Sequence, residues 1–336
     1  PGHAMANDHL AYLLTVSGRR WEARAPLLRL LRRGRFTKRH LLMLGVFENH
    51  LSPPEMLKNC REAVPEDSLP ELGMALIAWE ERDFPAARKL LESVTARRPE
   101  LAEAQARLGR LLLDDPVPDG FLDWQRGLHE SVEAHPQIWL VRAEWARRQG
   151  QPRARVRCLW EALHREPDLR AANYQLGQLL PSLDRADDAD TFRERARLLE
   201  QFEKTLGLIE IRLGLDHVWE ETSLLRRAAE QAEGLGRLWE ASGWASEVLY
   251  HDSQSTTARR MIDRVVIRVR AEPGLPQTVS TQDPSLQVDL SEFPLPHWPE
   301  SPEPRSVPAG GQLPVPGTIA FRDTAVAAGI RFTYFN

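Results

Sequence analysis

The sequence predicts an all-α protein built as a solenoid of about seven stacked helix hairpins over residues 6–270, followed by an extended proline-rich tail. The main observation is an internal repeat. Leu108-Gly109 recurs 68 residues later as Leu176-Gly177, and Pro99 recurs at the same interval as Pro167. Half of that interval is 34 residues, which is long enough for two helices and their turns. Since one hairpin cannot bury its apolar face alone, stacked hairpins are expected to share a continuous core.

Small residues recur where the two helices of a hairpin must approach each other. A small side chain in the first helix lets the second helix come close, and a small side chain in the second helix has the same effect. The predicted positions in the first helix are Ala75, Gly109, Ala143 and Gly177, and those in the second are Ala87, Ala189 and Ala241. Later in the second helix, the residues expected to face the next hairpin are Val94, Ser131, Ala162, Ala196 and Val248.

Turn residues and prolines give the order of the helices. Segments 7–33 and 38–65 are expected to form the first two hairpins, and turns such as Arg82–Phe84 and Gly150–Pro152 separate the helices within a hairpin. A proline ends each unit because it cannot continue a helix. Three departures from the regular pattern are Trp124 at a usually small position, Pro181 late in a first helix, and extra residues at 114–119. After the sixth hairpin, the sequence predicts a long helix at about Thr191–Leu213, a further pair at Glu220–Gly234 and Leu238–Tyr250, and a closing helix at Ala258–Arg270.

With this period and these small residues, residues 6–270 resemble the tetratricopeptide-repeat (TPR) family, and residues 68–99 match its pattern well. The resemblance implies a right-handed superhelix in which the first helix of each pair lines a concave groove that binds a polypeptide. Arginine makes bidentate contacts to carboxylates, and Trp and Tyr provide flat apolar surfaces, so the groove suits an extended acidic peptide. The residues expected to face the groove are Trp79, Arg107, Arg110, Glu144, Arg147, Arg148, Tyr174, Gln175 and Gln178.

The sequence contains no pattern that predicts catalysis, a cofactor or a metal ion. It has neither a G-x-x-x-x-G-K-[ST] nor a G-x-G-x-x-G phosphate-binding loop. His129 and His135 are six residues apart, which does not suit zinc ligands paired at i and i+4, and they are expected to be solvated or capping. The two cysteines, Cys60 and Cys158, cannot form a cysteine-based zinc site and are both expected to be buried. We therefore expect a non-catalytic protein without a cofactor.

The charge distribution leaves two other functions open. The formal net charge of -4 gives no general attraction to nucleic acid or membranes, and no apolar run is long enough to span a bilayer. Residues 19–39, however, contain nine Arg or Lys and one acid, Glu22, which is compatible with RNA binding. Few aromatic residues accompany these charges, so binding to nucleic acid is the less favoured interpretation. The other alternative is that the chain is a regulatory or substrate-holding part of a larger biosynthetic enzyme.

The ends of the chain differ from the solenoid. Residues 1–5 are expected to be a remnant of cloning, so the sequence does not indicate a compartment. Residues 271–318 are expected to form an acidic, extended linker, because residues 271–316 contain eleven prolines, six acids and one Arg. This linker is a possible intramolecular partner of the basic solenoid. Residues 319–336, with Phe321-Arg-Asp-Thr324 and Ala328-Gly-Ile330, resemble the start of FG-GAP/UnbV-type β-propellers, which implies that the chain belongs to a longer protein.

Overall fold

The computed structural model describes residues 3–45, 54–115, 119–213, 222–271 and 283–299. The chain forms two compact units, residues 1–298 and 299–336. The predicted start of a β-propeller at 319–336 lies outside the described residues. Within the described part of the first unit, every regular element is helical, so the predicted all-α solenoid of helix hairpins is confirmed.

The helices follow one another with short connections. Short 3-10 turns at Glu130–Ala134 and Leu180–Leu183 interrupt the series. The α-helices are α1 (Ala4–Val16), α2 (Arg20–Arg32), α3 (Lys38–Gly45), α4 (Pro54–Ala63), α5 (Leu69–Glu80), α6 (Phe84–Arg97), α7 (Ala102–Leu112), α8 (Asp119–Arg126), α9 (Pro136–Arg148), α10 (Pro152–Arg165), α11 (Arg170–Leu179), α12 (Ala186–Leu213), α13 (Thr222–Gly234), α14 (Leu238–His251), α15 (Thr256–Ala271) and α16 (Pro284–Gln287).

Consecutive helices pack as hairpins. The pairs are α1/α2, α5/α6, α7/α8, α9/α10, α11/α12 and α13/α14, and α15 closes the series by packing on α14. The predicted long helix is present as α12, although it begins earlier than expected, at Ala186. The second predicted pair is less regular, because α3 packs against α2, α12 and α14 whereas α4 packs against α5.

The turn inside most hairpins contains a residue in the left-handed backbone region. Such a residue commonly ends an α-helix and redirects the chain, and it favours glycine because a Cβ is unfavourable there. Gly150, with φ of 65°, has this role between α9 and α10, where the sequence predicted a turn between two helices. The equivalent residues in the other pairs are Gly18, Arg82, Asp184 and Gly236.

The small residues mostly lie where the repeat predicted them. Ala87, Ala189 and Ala241 are fully buried. At Gly177, an added Cβ would lie 3.3 Å from the backbone nitrogen of Arg193, so α11 and α12 approach closely. The expectation for Ser131 is wrong. It lies exposed in the 3-10 turn Glu130–Ala134, because α8 ends at Arg126 and does not continue into this region.

Trp124 shows how the irregular fourth hairpin is packed. Its indole occupies the space that Gly109 leaves open on α7, since an added Cβ at that glycine would lie 2.6 Å from Trp124 Cη2. The indole Nε1 also donates a 2.9 Å hydrogen bond to Gln105 Oε1. A large residue at a usually small position is therefore accommodated by a glycine on the facing helix.

The first apolar core joins helices that are distant in sequence. It contains residues of α1, α2 and α3 together with residues of α12 to α15. Arg237, before α14, donates a 3.0 Å hydrogen bond to the backbone oxygen of Leu44 at the end of α3. Leu41 of α3 also packs against Gly243 of α14. A repeat pattern predicts contacts between neighbouring hairpins, so it did not predict this contact between early and late helices.

Residues 283–298, here called the C-terminal segment, pack against α10 and α12. Trp160 of α10 donates a 2.8 Å hydrogen bond from Nε1 to the backbone oxygen of Val288. The side chains of Leu290 and Phe293 are buried in the same apolar cluster as α10. The proline content predicted an extended segment, but the segment is not extended throughout. It begins with the single turn α16, in which the Asp283 carboxylate accepts a 2.8 Å hydrogen bond from Ser285 N.

None of the described helices is both long and apolar enough to cross a membrane.

Candidate functional site

The first helices of four successive pairs, α5, α7, α9 and α11, form one wall of a cavity of about 440 Å³. We call this wall the inner face. Apolar side chains such as Leu76 and Leu140 alternate along it with charged ones such as Arg107. A volume of this size lies within the range of about 300–1,000 Å³ that is usual for ligand pockets.

Helix α2 runs along the inner face and bounds one side of the cavity. Gly18, just before α2, contacts Leu76 of α5. One turn later, the ring of Trp21 lies edge-on to the ring of His135 at the start of α9, with centroids 5.2 Å apart. A further turn along, Arg24 forms a buried ion pair with Glu166 after α10. Three residues spaced by three therefore contact α5, the start of α9 and the turn after α10.

Arg107 and Arg110 are two cations on α7 that face the cavity. The Arg107 guanidinium stacks over Trp79 at 4.9 Å from the ring centroid. Burial lowers the pKa of Arg107, with Glu80 opposing the effect. Neither arginine forms a hydrogen bond or an ion pair with any residue that the structure describes. Arg107 is partly buried and Arg110 is exposed at the cavity, and guanidinium groups that form no ion pair are suited to bind an anionic ligand.

Glu144, also in the cavity wall, is already neutralised by arginines of its own helix. Its carboxylate accepts two 2.7 Å hydrogen bonds from Arg147 and one of 3.0 Å from Arg148. These hydrogen bonds, that of Arg147 foremost, lower the pKa of Glu144 to about 2. Arg148 also forms a 2.6 Å ion pair with Asp114. These three predicted site residues therefore form a charge cluster of their own.

The cavity brings together five of the nine predicted groove residues. Gln175 lines it and accepts a 2.6 Å hydrogen bond from Arg155. Tyr174 and Gln178 are exposed and lie outside the cavity lining, as do Arg147 and Arg148. The predicted residues that line the cavity are Trp79, Arg107, Arg110, Glu144 and Gln175.

Several cavity residues were not predicted. Glu103 lies on the same face of α7 as Arg107 and Arg110, at positions i, i+4 and i+7, so helical periodicity alone could have identified it. His135 is buried, and its Nδ1 accepts a 3.2 Å hydrogen bond from Gln137 N at the start of α9. The expectation of a capping role is therefore correct, but the side chain is not solvated. Nothing in the sequence pattern predicts that Gly18 and Trp21 line the cavity, because they belong to a different hairpin from the inner-face helices.

The basic segment 19–39 is largely used for contacts within the protein. Arg29 donates a 2.8 Å hydrogen bond to Asn7 Oδ1, and Arg32 and Arg39 lie over the rings of Trp239 and Tyr12. Other cations of the segment form ion pairs, among them Arg19 with Glu22, Arg24 with Glu166 and Lys38 with Glu247. These internal contacts do not favour the RNA-binding alternative.

The cysteines differ in environment. Cys158 of α10 is fully buried, as expected, and burial raises the pKa of its thiol to about 12. Cys60 of α4 is exposed, so the expectation that both are buried is wrong for this residue. Across the described residues, no three His, Cys, Asp or Glu side chains are grouped in a way that could hold a metal ion.

Comparison with known proteins gives little further information. No protein-family model matches the chain, and none of the curated proteins matches it. Among solved structures, a chain of the APC/C hetero-tetramer Cut9-Hcn1 is similar at 12% identity and a TM-score of 0.30. The alignment covers 75% of this chain and 54% of that one, so it spans about half of the length of the matched chain. The description of the fold therefore depends on the helix pairs themselves.

Proposed function

We propose that this protein is a non-catalytic scaffold that binds a protein, or an extended acidic peptide, through its inner face. Arg107 and Arg110 are the contacts to carboxylates of the partner, and Trp79 packs against an apolar side chain between them. The proposal gives no catalytic role to any residue.

One observation carries this proposal. Arg107 and Arg110 line the cavity and form no hydrogen bond or ion pair with any described residue, and Arg107 also lies over the ring of Trp79. Cations that only stabilise the fold are usually paired, as Arg147 and Arg148 are on α9. Unpaired arginines next to tryptophan are typical of residues that dominate binding to a polypeptide.

The proposal is tested with peptides selected for binding. Random 12-residue peptides are selected on the immobilised protein, and the affinities of the enriched peptides are measured by fluorescence anisotropy. We expect enrichment of acidic residues, and we expect the Arg107→Gln/Arg110→Gln double variant to bind about tenfold to 100-fold more weakly, because charged hydrogen bonds are lost.

The matched control is Arg197→Gln. Arg197 is an exposed arginine of α12 whose 2.7 Å hydrogen bond from Nε goes to Glu194 of the same helix. Its replacement should leave the affinities unchanged. Equal affinities for the double variant and the unaltered protein would contradict the proposal.

We also retain, as a proposal from sequence alone, that the chain is part of a longer protein in which a β-propeller follows. The resemblance of residues 319–336 is its basis, and the family comparison does not support it.

A further inference from the structure

The cavity lining contains two buried polar atoms that have no hydrogen-bond partner among the described residues. Glu103 Oε1 and His135 Nε2 are both buried, and neither is satisfied by any residue that the structure describes. They lie 3.6 Å apart, which is too far for a hydrogen bond between them. His135 is 4% exposed, so bulk water does not readily satisfy its ring. A buried polar group without a partner is costly, which indicates that something else occupies this position.

The hydrogen-bonding roles of the two atoms follow from their surroundings. His135 Nδ1 accepts the backbone N–H of Gln137, so in the neutral ring the proton is on Nε2, which is a donor. The ionised carboxylate of Glu103 is an acceptor only. A group that satisfies both atoms must accept from His135 and donate to Glu103. An amide or a hydroxyl group does both.

Aromatic and aliphatic side chains form part of the cavity wall. The ring of Trp21 lies against His135, and Trp79 lies under Arg107. Leu140 and Val141 line the same cavity. Because α2 bounds one side, the space suits a compact molecule with a planar apolar body.

We propose that the cavity binds an amphipathic organic carboxylate that carries an amide or a hydroxyl group. Its carboxylate pairs with Arg107 and Arg110, its amide or hydroxyl bridges Glu103 and His135, and its planar body lies between Trp21 and Trp79. The same chemistry is found in a free N-acyl aromatic amino acid and in such a residue at the end of a polypeptide. This inference rests on the proposed function, because both use Arg107 and Arg110 as ligand contacts. Glu103 and His135 are ligand contacts only in this inference.

The test uses N-acetyl-tryptophan and its carboxamide, which is the same molecule without the negative charge. Binding to the full chain is measured by isothermal titration calorimetry. The second arm uses a 12-residue peptide that ends in tryptophan, with a free or an amidated terminus. The variants are Arg107→Gln/Arg110→Gln, Glu103→Gln and His135→Asn. Asparagine retains a helix-capping side chain before α9 but removes the imidazole donor.

We expect N-acetyl-tryptophan to bind. The carboxamide should bind at least about tenfold more weakly, because the contacts of the carboxylate to the arginines are charge-assisted. Glu103→Gln and His135→Asn should each weaken binding several-fold. The far-UV circular dichroism spectrum and the melting temperature of the ligand-free protein should be unchanged. If the peptide with a free terminus binds but N-acetyl-tryptophan does not, the ligand is the C-terminal aromatic residue of a polypeptide.

Other outcomes overturn the inference. Equal affinities for the acid and the carboxamide, or no heat of binding for any of the probes, would do so. If Arg107→Gln/Arg110→Gln abolished binding of the selected acidic peptides while Glu103→Gln and His135→Asn had no effect on any ligand, the proposed function would stand and this inference would fail. If the acidic peptides were unaffected by the arginine changes but N-acetyl-tryptophan required Glu103 and His135, the proposed function would fail instead.

Discussion

Arg24 of α2 forms a buried ion pair with Glu166, which lies between α10 and α11. The pair belongs to a larger buried cluster. Nearby, Asp168 pairs with Arg195, and Arg237 forms a 2.7 Å ion pair with Glu240. Burial would raise the pKa of Asp168, but the cations Arg195, Arg237 and Arg24 outweigh burial and hold it below its usual value. The cluster thus connects α2 to the later helices through compensated charges.

Removal of one partner of this pair should destabilise the protein strongly. For Arg24→Met or Glu166→Met alone, we expect a loss of about 3–5 kcal/mol in the free energy of unfolding, because one buried charge is left without its partner. The double variant Arg24→Met/Glu166→Met should lose much less than the sum of the single variants. Urea unfolding followed by circular dichroism measures these values. Additive losses would show that the two residues do not interact.

Gly18 provides a test of the contact between α2 and α5. Both Gly18 and Gly34 have positive φ, 79° and 61°, but an added Cβ overlaps Leu76 at Gly18 and meets nothing within 4 Å at Gly34. Alanine at either position costs about 1–2 kcal/mol for the left-handed backbone. Gly18→Ala should cost about 1–3 kcal/mol more, because it also overpacks this contact. Equal melting temperatures for the two variants would contradict the observed packing.

Glu144 should make stability depend on pH in the acidic range. Its pKa is about 2 in the folded protein and 4.5 in the unfolded reference, so its contribution is present above about pH 4.5 and is lost as the pH falls toward 2. Glu144→Gln should therefore flatten the dependence of the free energy of unfolding on pH in this window.

Glu247→Gln is the control of opposite sign. Burial raises the pKa of Glu247, with Lys38 opposing the effect, so its contribution is largest at low pH and is lost as the pH rises. Glu247→Gln should therefore make the free energy of unfolding fall more steeply as the pH is lowered. Identical pH profiles for the two variants and the unaltered protein would contradict these electrostatics.

The two cysteines should differ in reactivity. Because Cys158 is buried with its thiol pKa raised to about 12, it should not react with a disulfide reagent at pH 8 in the folded protein. Cys60 is exposed and should react quickly. We therefore expect one fast-reacting thiol in native protein, two in urea, and none in native Cys60→Ser. Two fast thiols without denaturant would show that α10 is not packed as described.

Much of the fold could be predicted from sequence because its signals are local. The turn at Gly150, the buried alanines and α12 all follow from residues within one repeat. The resemblance to repeat proteins implied that the first helices line one face, and helical periodicity then predicted that Trp79, Arg107 and Arg110 lie on it.

The remaining features depend on contacts between distant parts of the chain. The position of α2 depends on contacts of Gly18, Trp21 and Arg24 with helices far along the chain, and none of these residues repeats with the 34-residue period. Packing of the C-terminal segment on Trp160 is equally non-local. The pairing of Arg147 with Glu144 is different, because it is a local contact over one helical turn that the sequence alone could have indicated.

The most direct test of the account is whether α2 lies on the inner face. The measurement is a nuclear Overhauser spectrum of deuterated protein in which only the Trp and His rings are protonated. If α2 lies on the inner face, cross-peaks are expected between the rings of Trp21 and His135, whose centroids are 5.2 Å apart. These cross-peaks should disappear in Trp21→Leu. A spectrum in which the Trp21 ring has no cross-peak to His135 would contradict this position of α2 and the boundary that it gives to the cavity.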